Sequence, residues 1–315
     1  MPEAALSAVV QRDAVGQLPA GVAPISRPVS SGVVRTVFGA LPESSSDLFH
    51  GLDVDLPLAT CALTVATVHD TSVIDMPSAS SWFRAKGEQQ LLRRALRKAD
   101  VLLAVSEFTA ERIQAISGRH ALVVELAPAA WARPPSVADV LSVRKKYCLP
   151  ALFVLQVGTV EPRKNVALVA EVAELLGLPY LLAGAGSTGL SAPRTAVGLG
   201  YVDTADLPAL YAAATITAYA SKYEGYGLPP LEAMACGGAV VASAVGALPQ
   251  VVGDGAVLVG PDRVAEWVDA MRPLAFDADA RAALVSAALT VAGTLTWRRT
   301  AERTVQAYRE AGVAV

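Results

Sequence analysis

The sequence contains few residues of the kinds that form disulfides, metal sites or nucleic-acid interfaces. Its 315 residues include three cysteines and three histidines, and charged residues make up only 17%. Cys61, Cys148 and Cys236 have no metal-like or disulfide-like spacing, which is typical of a reducing compartment. The net charge of −3 gives no general electrostatic reason to bind nucleic acid. We therefore expect neither a metal site nor a nucleic-acid partner.

The sequence also shows no targeting or membrane-spanning signal. Residues 1–15 contain acids and lack the basic segment with which a signal peptide begins. No apolar run free of charge, proline and glycine is long enough to cross a bilayer. These features predict a soluble, cytoplasmic protein.

What the sequence does have is a regular alternation of short apolar runs and helical segments. Runs such as CALTVATV, VLLAVS, LFVLQVG and AVVAS alternate with stretches of helical period. This alternation predicts an α/β fold with parallel strands and crossover helices. The chain length fits two domains, 1–133 and 151–296, and the proline-rich, charged segment 134–150 is the predicted linker.

A pair of adjacent cations follows a predicted strand in the second half. FVLQVGTVEPRKN leads from a buried strand through Gly158 to Arg163 and Lys164, just before a helix. Cations at a strand end, beside the positive end of a helix, suit a phosphate or diphosphate. A solvated helix start explains the same residues, and the motif alone does not choose between the two.

A glycine- and proline-rich turn, YEGYGLPPLE at residues 223–232, is the second motif. Backbone N–H groups at Gly227 and Leu228 can receive an anion at the start of the next helix. Glu224 and Glu232 lie on either side of the turn, which can bring both towards one polar ligand. The alternative is that Glu232 is there because acids are favoured near helix N-termini.

These motifs together resemble those of a known family. VGTVEPRKN, GYVDTADLPALYAAA, YEGYGLPPLEAMACGG and LPQVVGDGAVLV occur in the order and approximate spacing of the retaining glycosyltransferases of family 4. The resemblance implies the GT-B fold, in which two Rossmann-like domains have parallel sheets that face a cleft. The closing segment, 297–315, is similar to the family's last helix, which crosses back to the first domain.

The resemblance also implies roles for individual residues. Glu224 would contact the donor sugar near the reaction centre, and Glu232 would bind the ribose hydroxyls. Arg163 and Lys164 would hold the diphosphate. The complete set of implied donor-binding residues is Gly158, Arg163, Lys164, Val202, Gly225, Tyr226, Gly227, Leu228 and Glu232.

The first half carries a weaker resemblance. The histidine in TVHD, His69, stands at a predicted strand end and would reach the donor sugar, and His50 is a second candidate for the same cleft. A lone histidine at a strand end is more often structural than catalytic, so the role of His69 rests on the family.

Three departures from the family pattern are visible. Thr159 stands where an arginine is usual, so Arg163 and Lys164 must carry more of the diphosphate charge. Gln250 replaces a common acid, and Ala239 replaces a common proline. The chain is also predicted to begin at the family's second strand, without an opening unit of about 30 residues that includes a glycine-rich loop.

The implied reaction is transfer of a hexosyl group, such as mannosyl, from a nucleotide diphosphate sugar to a hydroxyl, with retention of the anomeric configuration. The leaving phosphate would take the acceptor proton, and no cofactor or metal is expected. The acceptor is a glycan, a lipid-linked molecule or a small molecule, as in polysaccharide biosynthesis.

The helix predicted around 82–98 is compatible with peripheral contact at the inner membrane face. It places Leu91, Leu92, Ala95 and Leu96 opposite Arg93, Arg94, Arg97 and Lys98. An ordinary packed helix with a solvated charged face is the alternative.

The alternative function is a non-catalytic GT-B relative that binds a nucleotide sugar or serves as a partner subunit. Another GT-B enzyme, such as an epimerase or phosphorylase, lacks this combination of motifs. A nicotinamide-dependent oxidoreductase is disfavoured because no G-x-G-x-x-G follows an early strand.

Overall fold

The structure, a computed structural model, describes residues 5–27, 41, 46–76 and 82–313, with the backbone alone at 82–85. The chain forms two compact units. The first unit comprises Met1–Val124 and Ala301–Val315, and the second comprises Glu125–Thr300. The last 15 residues of the chain thus belong to the first unit.

The first unit contains a parallel sheet with order β3-β4-β5-β6 and a separate parallel pair, β1 and β2. These strands are β1 Leu6–Val10, β2 Val22–Ser26, β3 Leu48–Gly51, β4 Leu63–Val68, β5 Val101–Ala104 and β6 Leu122–Val123. Its helices are α1 Ser72–Asp75, α2 Trp82–Lys98 and α3 Glu107–Ser117, with a 3₁₀ turn at Arg12–Gln17. Helices join β4 to β5 and β5 to β6, as the alternating sequence pattern predicts, whereas a loop joins β3 to β4.

Helix α2 differs from its predicted amphipathic pattern at one cation. Leu92, Ala95 and Leu96 are buried in the core of the first unit, so most of the apolar face is packed rather than exposed. The prediction that Arg94 lies on the opposite, solvated face is wrong. Its guanidinium donates to the carbonyl oxygens of Leu56 at 2.7 Å and Pro57 at 2.6 Å.

The second unit is built on a six-stranded parallel sheet with order β12-β11-β10-β7-β8-β9. Its strands are β7 Val154–Val157, β8 Tyr180–Ala183, β9 Ala196–Gly200, β10 Ile216–Tyr219, β11 Val240–Ser243 and β12 Ala256–Val259. Its helices are α4 Val137–Lys146, α5 Val166–Leu176, α6 Leu207–Ala213, α7 Leu228–Ala235, α8 Leu248–Val252, α9 Val264–Phe276 and α10 Ala278–Thr294. Short 3₁₀ turns occur at Pro162–Lys164 and Gly253–Gly255. The last helix, α11 Trp297–Glu310, begins at the end of the second unit, and most of its residues belong to the first. The predicted α/β fold with two parallel sheets is confirmed.

The segment 134–150, predicted as a linker, lies within the second unit and contains α4. Ser136 and Asp139 begin this helix with a capping box, in which each side chain accepts from the other residue's backbone N–H. Arg144 then donates to the carbonyl oxygens of Pro150 and Ala213, at 2.9 and 2.8 Å. These bonds attach the helix and the chain after it to the second unit.

Residues Ala278–Glu310 are long and apolar enough to span a bilayer by length and composition alone. The structure divides them into α10 and α11, and α10 packs closely on the second unit. A Cβ placed on Gly255 would lie 3.0 Å from the Ala288 Cα atom and 3.2 Å from the Val291 Cβ atom. This packing accounts for the small residues Ala288 and Ala292, the two buried residues of α10.

His50 is a structural residue of the first unit. Its Nδ1 lies 2.6 Å from the Tyr308 hydroxyl on α11, and its Nε2 lies 2.8 Å from the Thr67 hydroxyl on β4. Burial, together with the nearby charge of His69, lowers the pKa of His50 to about 4. Both ring nitrogens are therefore engaged in joining α11 to the sheet.

Candidate functional site

The predicted donor-site loops meet at one point of the second sheet. Strand β7 pairs with β8 on one side and β10 on the other, although β10 follows two further strands in the chain. The strand order therefore reverses between β7 and β10. In open parallel sheets, ligands bind beyond the carboxyl ends of the strands at such a reversal. The segments that follow β7 and β10 here contain the two cations, Glu224 in the loop after β10, and Glu232 in the helix after that loop.

Gly158 ends β7 in a conformation suited to glycine. Its φ of 142° lies in the positive region, and its N–H donates to the Ala183 carbonyl oxygen at 2.9 Å. A Cβ on Gly184 would collide with the Gly158 carbonyl oxygen, so the backbones after β7 and β8 approach each other closely. Because the Gly158 N–H is bonded within the sheet, the residue shapes the loop and does not offer a donor to a ligand.

The cation pair lies on a short 3₁₀ turn whose backbone is held from two sides. The Lys164 carbonyl oxygen accepts from the Gln156 side chain at 3.3 Å, and the Arg163 carbonyl oxygen accepts from the Lys222 N–H at 2.8 Å. Asn165, in the left-handed region with φ 48°, then begins α5 and donates to the Pro261 carbonyl oxygen at 3.2 Å. These contacts fix the position from which both cationic side chains start.

Both cations converge on the carboxylate of Glu224. The Lys164 Nζ atom lies 2.5 Å from Glu224 Oε1, and the Arg163 Nη1 atom lies 3.5 Å from Glu224 Oε2. The Lys164 and Glu224 side chains are only 12% and 9% exposed, so their attraction is weakly screened by solvent. Arg163 also pairs with Glu161, through Nε and Oε2 at 3.0 Å. The sequence analysis did not find this role of Glu161.

Two serines complete the surroundings of Glu224, and the sequence analysis did not find them either. The Ser221 hydroxyl donates to Glu224 Oε1 at 2.7 Å. The Ser243 hydroxyl, at the end of β11, donates to the Ser221 carbonyl oxygen at 2.5 Å. Both serines are fully buried. A serine after a strand is common in any α/β protein, so only the geometry identifies this pair.

The turn before α7 leaves few N–H donors at the helix start. Gly227 is the N-cap residue, with φ 111°, and a Cβ there would lie 2.5 Å from the Leu248 Cδ2 atom. Pro229 and Pro230 have no N–H, and the Leu231 N–H donates to the Gly227 carbonyl oxygen at 3.2 Å. Among the described residues no acceptor is recorded for the Leu228 N–H, so its predicted role as an anion donor stays a prediction.

Glu232 lies one turn into α7 in a desolvated position. Within the described residues, no side-chain hydrogen bond or ion pair involves its carboxylate. Burial raises the pKa of Glu232 to about 7, well above the usual value for a glutamate. A partly buried carboxylate of this kind is ready to accept hydrogen bonds from ligand hydroxyls.

Two of the predicted residues have side chains that point into the protein. Tyr226 is buried, and its hydroxyl donates to the Leu126 carbonyl oxygen. Val202, after β9, is 5% exposed. For both residues the backbone is the part that a ligand could contact.

His69 belongs to the first unit, directly after β4. Its side chain is exposed, and its Nε2 lies 2.8 Å from the Leu52 carbonyl oxygen. Because a carbonyl oxygen only accepts, Nε2 carries the hydrogen in this contact. The Nδ1 atom of the neutral ring is then an acceptor.

Among the residues that the structure describes, no group of three or more histidine, cysteine or acidic side chains could hold a metal ion. The arrangement after β7 and β10 instead provides two cations, one free amide and two carboxylates. Cations and amides bind phosphate oxygens, and carboxylates bind sugar hydroxyls.

Comparison with known proteins agrees with this arrangement. The profile of the family described as "Glycosyl transferases group 1" matches residues 149–290. The chain is 33% identical over 290 residues to the O-antigen chain mannosyltransferase B of Escherichia coli, covering 86% of this chain and 76% of the relative. It is 31% identical over 284 residues to the D-inositol 3-phosphate glycosyltransferase of Actinosynnema mirum, covering 81% and 67%.

Solved structures agree on the fold. The sucrose-phosphate synthase of Thermosynechococcus elongatus has a TM-score of 0.68 at 22% identity, covering 84% of this chain and 73% of that protein. Anabaena HepE in complex with UDP-glucose has a TM-score of 0.63 at 22% identity, covering 79% and 72%. The fold and the site thus define a GT-B glycosyltransferase. The chain belongs to the glycosyl transferases group 1 family.

Proposed function

We propose that this protein is a retaining hexosyltransferase that moves a hexosyl group from a nucleotide diphosphate sugar to an acceptor hydroxyl. The observation that carries the proposal is the convergence of Arg163 and Lys164 on Glu224, where the strand order reverses. Two largely buried cations beyond the carboxyl ends of β7 and β10 are suited to binding a diphosphate. The adjacent carboxylate is suited to binding a sugar hydroxyl.

In this proposal Arg163, Lys164 and the Leu228 N–H stabilise the leaving diphosphate. Negative charge develops on the diphosphate as the bond to the sugar breaks, and preorganised donors lower the energy of that state. Gly158 and Gly227 shape the backbone that surrounds the phosphates. The site as proposed uses side-chain cations and amides and assigns no role to a metal or cofactor.

Glu224 would bind hydroxyls of the donor sugar, and Glu232 would bind those of the ribose. The backbones of Gly225 and Tyr226 would line the sugar position, and the backbone at Val202 would border the base. His69 would contact the donor sugar near the reaction centre, a role that rests on its place in the family motif.

We further propose that the anomeric configuration is retained and that the leaving phosphate takes the acceptor proton. Both parts of this proposal rest on the similarity to the glycosyl transferases group 1 family. NMR of the newly formed linkage decides this point, because the one-bond C1–H1 coupling distinguishes retention from inversion for mannosyl as well as glucosyl products.

GDP-mannose is the first donor to test because of the similarity to an O-antigen mannosyltransferase. UDP- and dTDP-hexoses are the alternatives, and UDP-glucose is bound in the related HepE structure. A glycan or lipid-linked acceptor in polysaccharide biosynthesis, at the cytoplasmic face of a membrane, fits this assignment. Any contact of α2 with that membrane would be electrostatic, through the exposed Arg93, Arg97 and Lys98.

Calorimetric titration of the purified protein with GDP, UDP and dTDP, and with their hexose conjugates, tests the proposal. We expect saturable binding of one nucleotide series, and loss of at least about tenfold in affinity in Lys164→Met. Lys222→Met is the matched control, because Lys222 is an exposed lysine of the neighbouring loop that pairs with Asp262 at 3.8 Å.

Equal losses in both lysine variants would indicate general electrostatics rather than a site. If no nucleotide binds, the donor site is refuted and the non-catalytic relative becomes the better description. If a nucleotide binds but its sugar conjugate is neither transferred nor hydrolysed, the binding half of the proposal stands and the catalytic half fails.

A further inference from the structure

The Glu224 carboxylate has two kinds of partner in the ligand-free site. Arg163 and Lys164 have long side chains that the donor diphosphate would attract, whereas Ser221 is a short, fully buried residue. Oxygen Oε1 accepts from both Lys164, at 2.5 Å, and Ser221, at 2.7 Å. Two hydrogen-bond donors therefore hold the carboxylate through the same oxygen.

The backbone that carries Ser221 and Glu224 is also fixed. The Ser243 hydroxyl donates to the Ser221 carbonyl oxygen, and the Ala247 N–H donates to the Glu224 carbonyl oxygen at 3.0 Å. A Cβ on Gly246 would collide with the same Glu224 carbonyl oxygen. The serine hydroxyl thus stands at a fixed place relative to the sheet, independently of the cations.

Binding of a diphosphate changes the balance of charge around Glu224. As Arg163 and Lys164 turn to the phosphates, their contacts with the carboxylate weaken, and a buried carboxylate without a partner is strongly disfavoured. A hydroxyl that remains bonded keeps the carboxylate from rotating away from the sugar at that moment.

We propose that Ser221 is a positioning residue that holds Glu224 in its sugar-binding orientation when the donor diphosphate draws Arg163 and Lys164 away. The proposal rests on the proposed function, because it assigns Ser221 a task in the donor-bound state. Ser243 supports that task by fixing the Ser221 backbone.

Steady-state kinetics of Ser221→Ala with the donor identified by calorimetry is the first test. We expect kcat to fall by about 10- to 100-fold, since one hydrogen bond to a charged group is lost when the sugar reacts. Affinity for the nucleoside diphosphate without sugar should change by less than about threefold, because Arg163 and Lys164 are intact.

Thr215→Val is the matched control. Thr215 precedes β10, is almost fully buried, and its hydroxyl accepts a hydrogen bond from the Phe153 N–H at 3.0 Å. The Thr215→Val variant therefore also lacks a buried hydroxyl, but at the start of β10, whereas Ser221 follows its end. The Thr215→Val variant should be less stable than the unaltered protein and should have the same kcat. A normal kcat in Ser221→Ala, or an equal fall in Thr215→Val, would overturn the proposal.

A second test does not require turnover and so separates this proposal from the proposed function. Crystal structures of ligand-free Arg163→Met/Lys164→Met and Arg163→Met/Lys164→Met/Ser221→Ala imitate the withdrawal of both cations. We expect the Glu224 carboxylate to keep its position in the double variant and to leave it in the triple variant. The same Glu224 position in both structures would show that Ser221 does not hold it, whatever donor the protein uses.

Discussion

The ammonium of Lys164 lies 2.5 Å from a carboxylate oxygen of Glu224, and both side chains are more than four-fifths buried. The two residues are 60 positions apart and come from the loops after β7 and β10. In the ligand-free protein the predicted diphosphate cation is thus neutralised by the predicted sugar-binding acid. A donor must compete with Glu224 for Lys164, and this competition makes the site testable.

Removal of the Glu224 charge should have opposite effects on nucleotide affinity and on the rate of sugar transfer. In Glu224→Gln, we expect affinity for the nucleoside diphosphate to rise by roughly 3- to 30-fold, because an anion that competes for Lys164 is gone. Sugar transfer should fall by at least about 100-fold, since the sugar loses a charged acceptor. Calorimetry and steady-state rates measure the two effects.

Glu161→Gln is the control for that change. Its carboxylate pairs with Arg163 and is 40% exposed, so its loss should alter nucleotide affinity only slightly. Weaker nucleotide binding in Glu224→Gln would contradict the competition between Glu224 and the diphosphate.

Nucleotide binding should depend on the protonation of Glu232. Burial raises the pKa of this carboxyl to about 7, and only the ionised form accepts hydrogen bonds at both oxygens. Affinity should therefore rise with pH and level off above 7, by about tenfold between pH 6 and pH 8 if the bound form is the carboxylate. Titration calorimetry across this pH range provides the measurement.

The diphosphate itself also changes its charge near pH 6, so the comparison must be made with Glu232→Gln. That variant should bind more weakly and lose the part of the pH dependence that belongs to the protein. An identical pH profile in both proteins would exclude Glu232 as a ligand-binding acid.

Two threonines of the β10 region should respond in opposite ways to the same substitution. Thr217 is fully buried, and its hydroxyl has no hydrogen-bond partner among the described residues, so Thr217→Val removes an unsatisfied polar group of equal size. We expect Thr217→Val to raise the free energy of unfolding by about 1 kcal/mol. Thr215→Val should lower it by about 1 kcal/mol or more, because the Phe153 N–H loses its acceptor. Denaturant unfolding of both variants measures these changes. A Thr217→Val variant less stable than Thr215→Val would refute this reasoning.

Two glycines with positive φ offer a test of how tightly Glu224 is packed. Gly246, at φ 56°, would bring a Cβ into the Glu224 carbonyl oxygen, whereas Gly253, at φ 45°, has open space for one. Each change to alanine should cost roughly 1–2 kcal/mol of backbone strain. Gly246→Ala alone should also reduce transfer, and equal rates in the two variants would show that the Glu224 backbone tolerates displacement.

Local sequence patterns were sufficient to predict the α/β fold and to select the residues of the candidate site. Arg163, Lys164, Leu228 and both glutamates come from short motifs, and the alternation of strands and helices follows from hydrophobic period. The convergence of Lys164 on Glu224 was not predictable from the residues alone, because it depends on β10 pairing with β7 rather than with a sequence neighbour.

The errors have the same origin in tertiary contacts. Arg94 lies on the polar side of an ideal helical pattern, but the carbonyl oxygens of Leu56 and Pro57 attract its guanidinium inward. Ser221 and Ser243 were missed because short hydroxyl side chains at strand ends have no distinctive pattern.

A crystal structure of the protein with the nucleoside diphosphate that binds best in calorimetry tests the central claim most directly. We predict that the diphosphate contacts Lys164 and Arg163 beyond the carboxyl ends of β7 and β10, with the ribose hydroxyls on Glu232. Glu224 should then remain bonded to Ser221. A nucleotide bound anywhere else, or one whose phosphates leave the Lys164–Glu224 pair intact, would contradict this account.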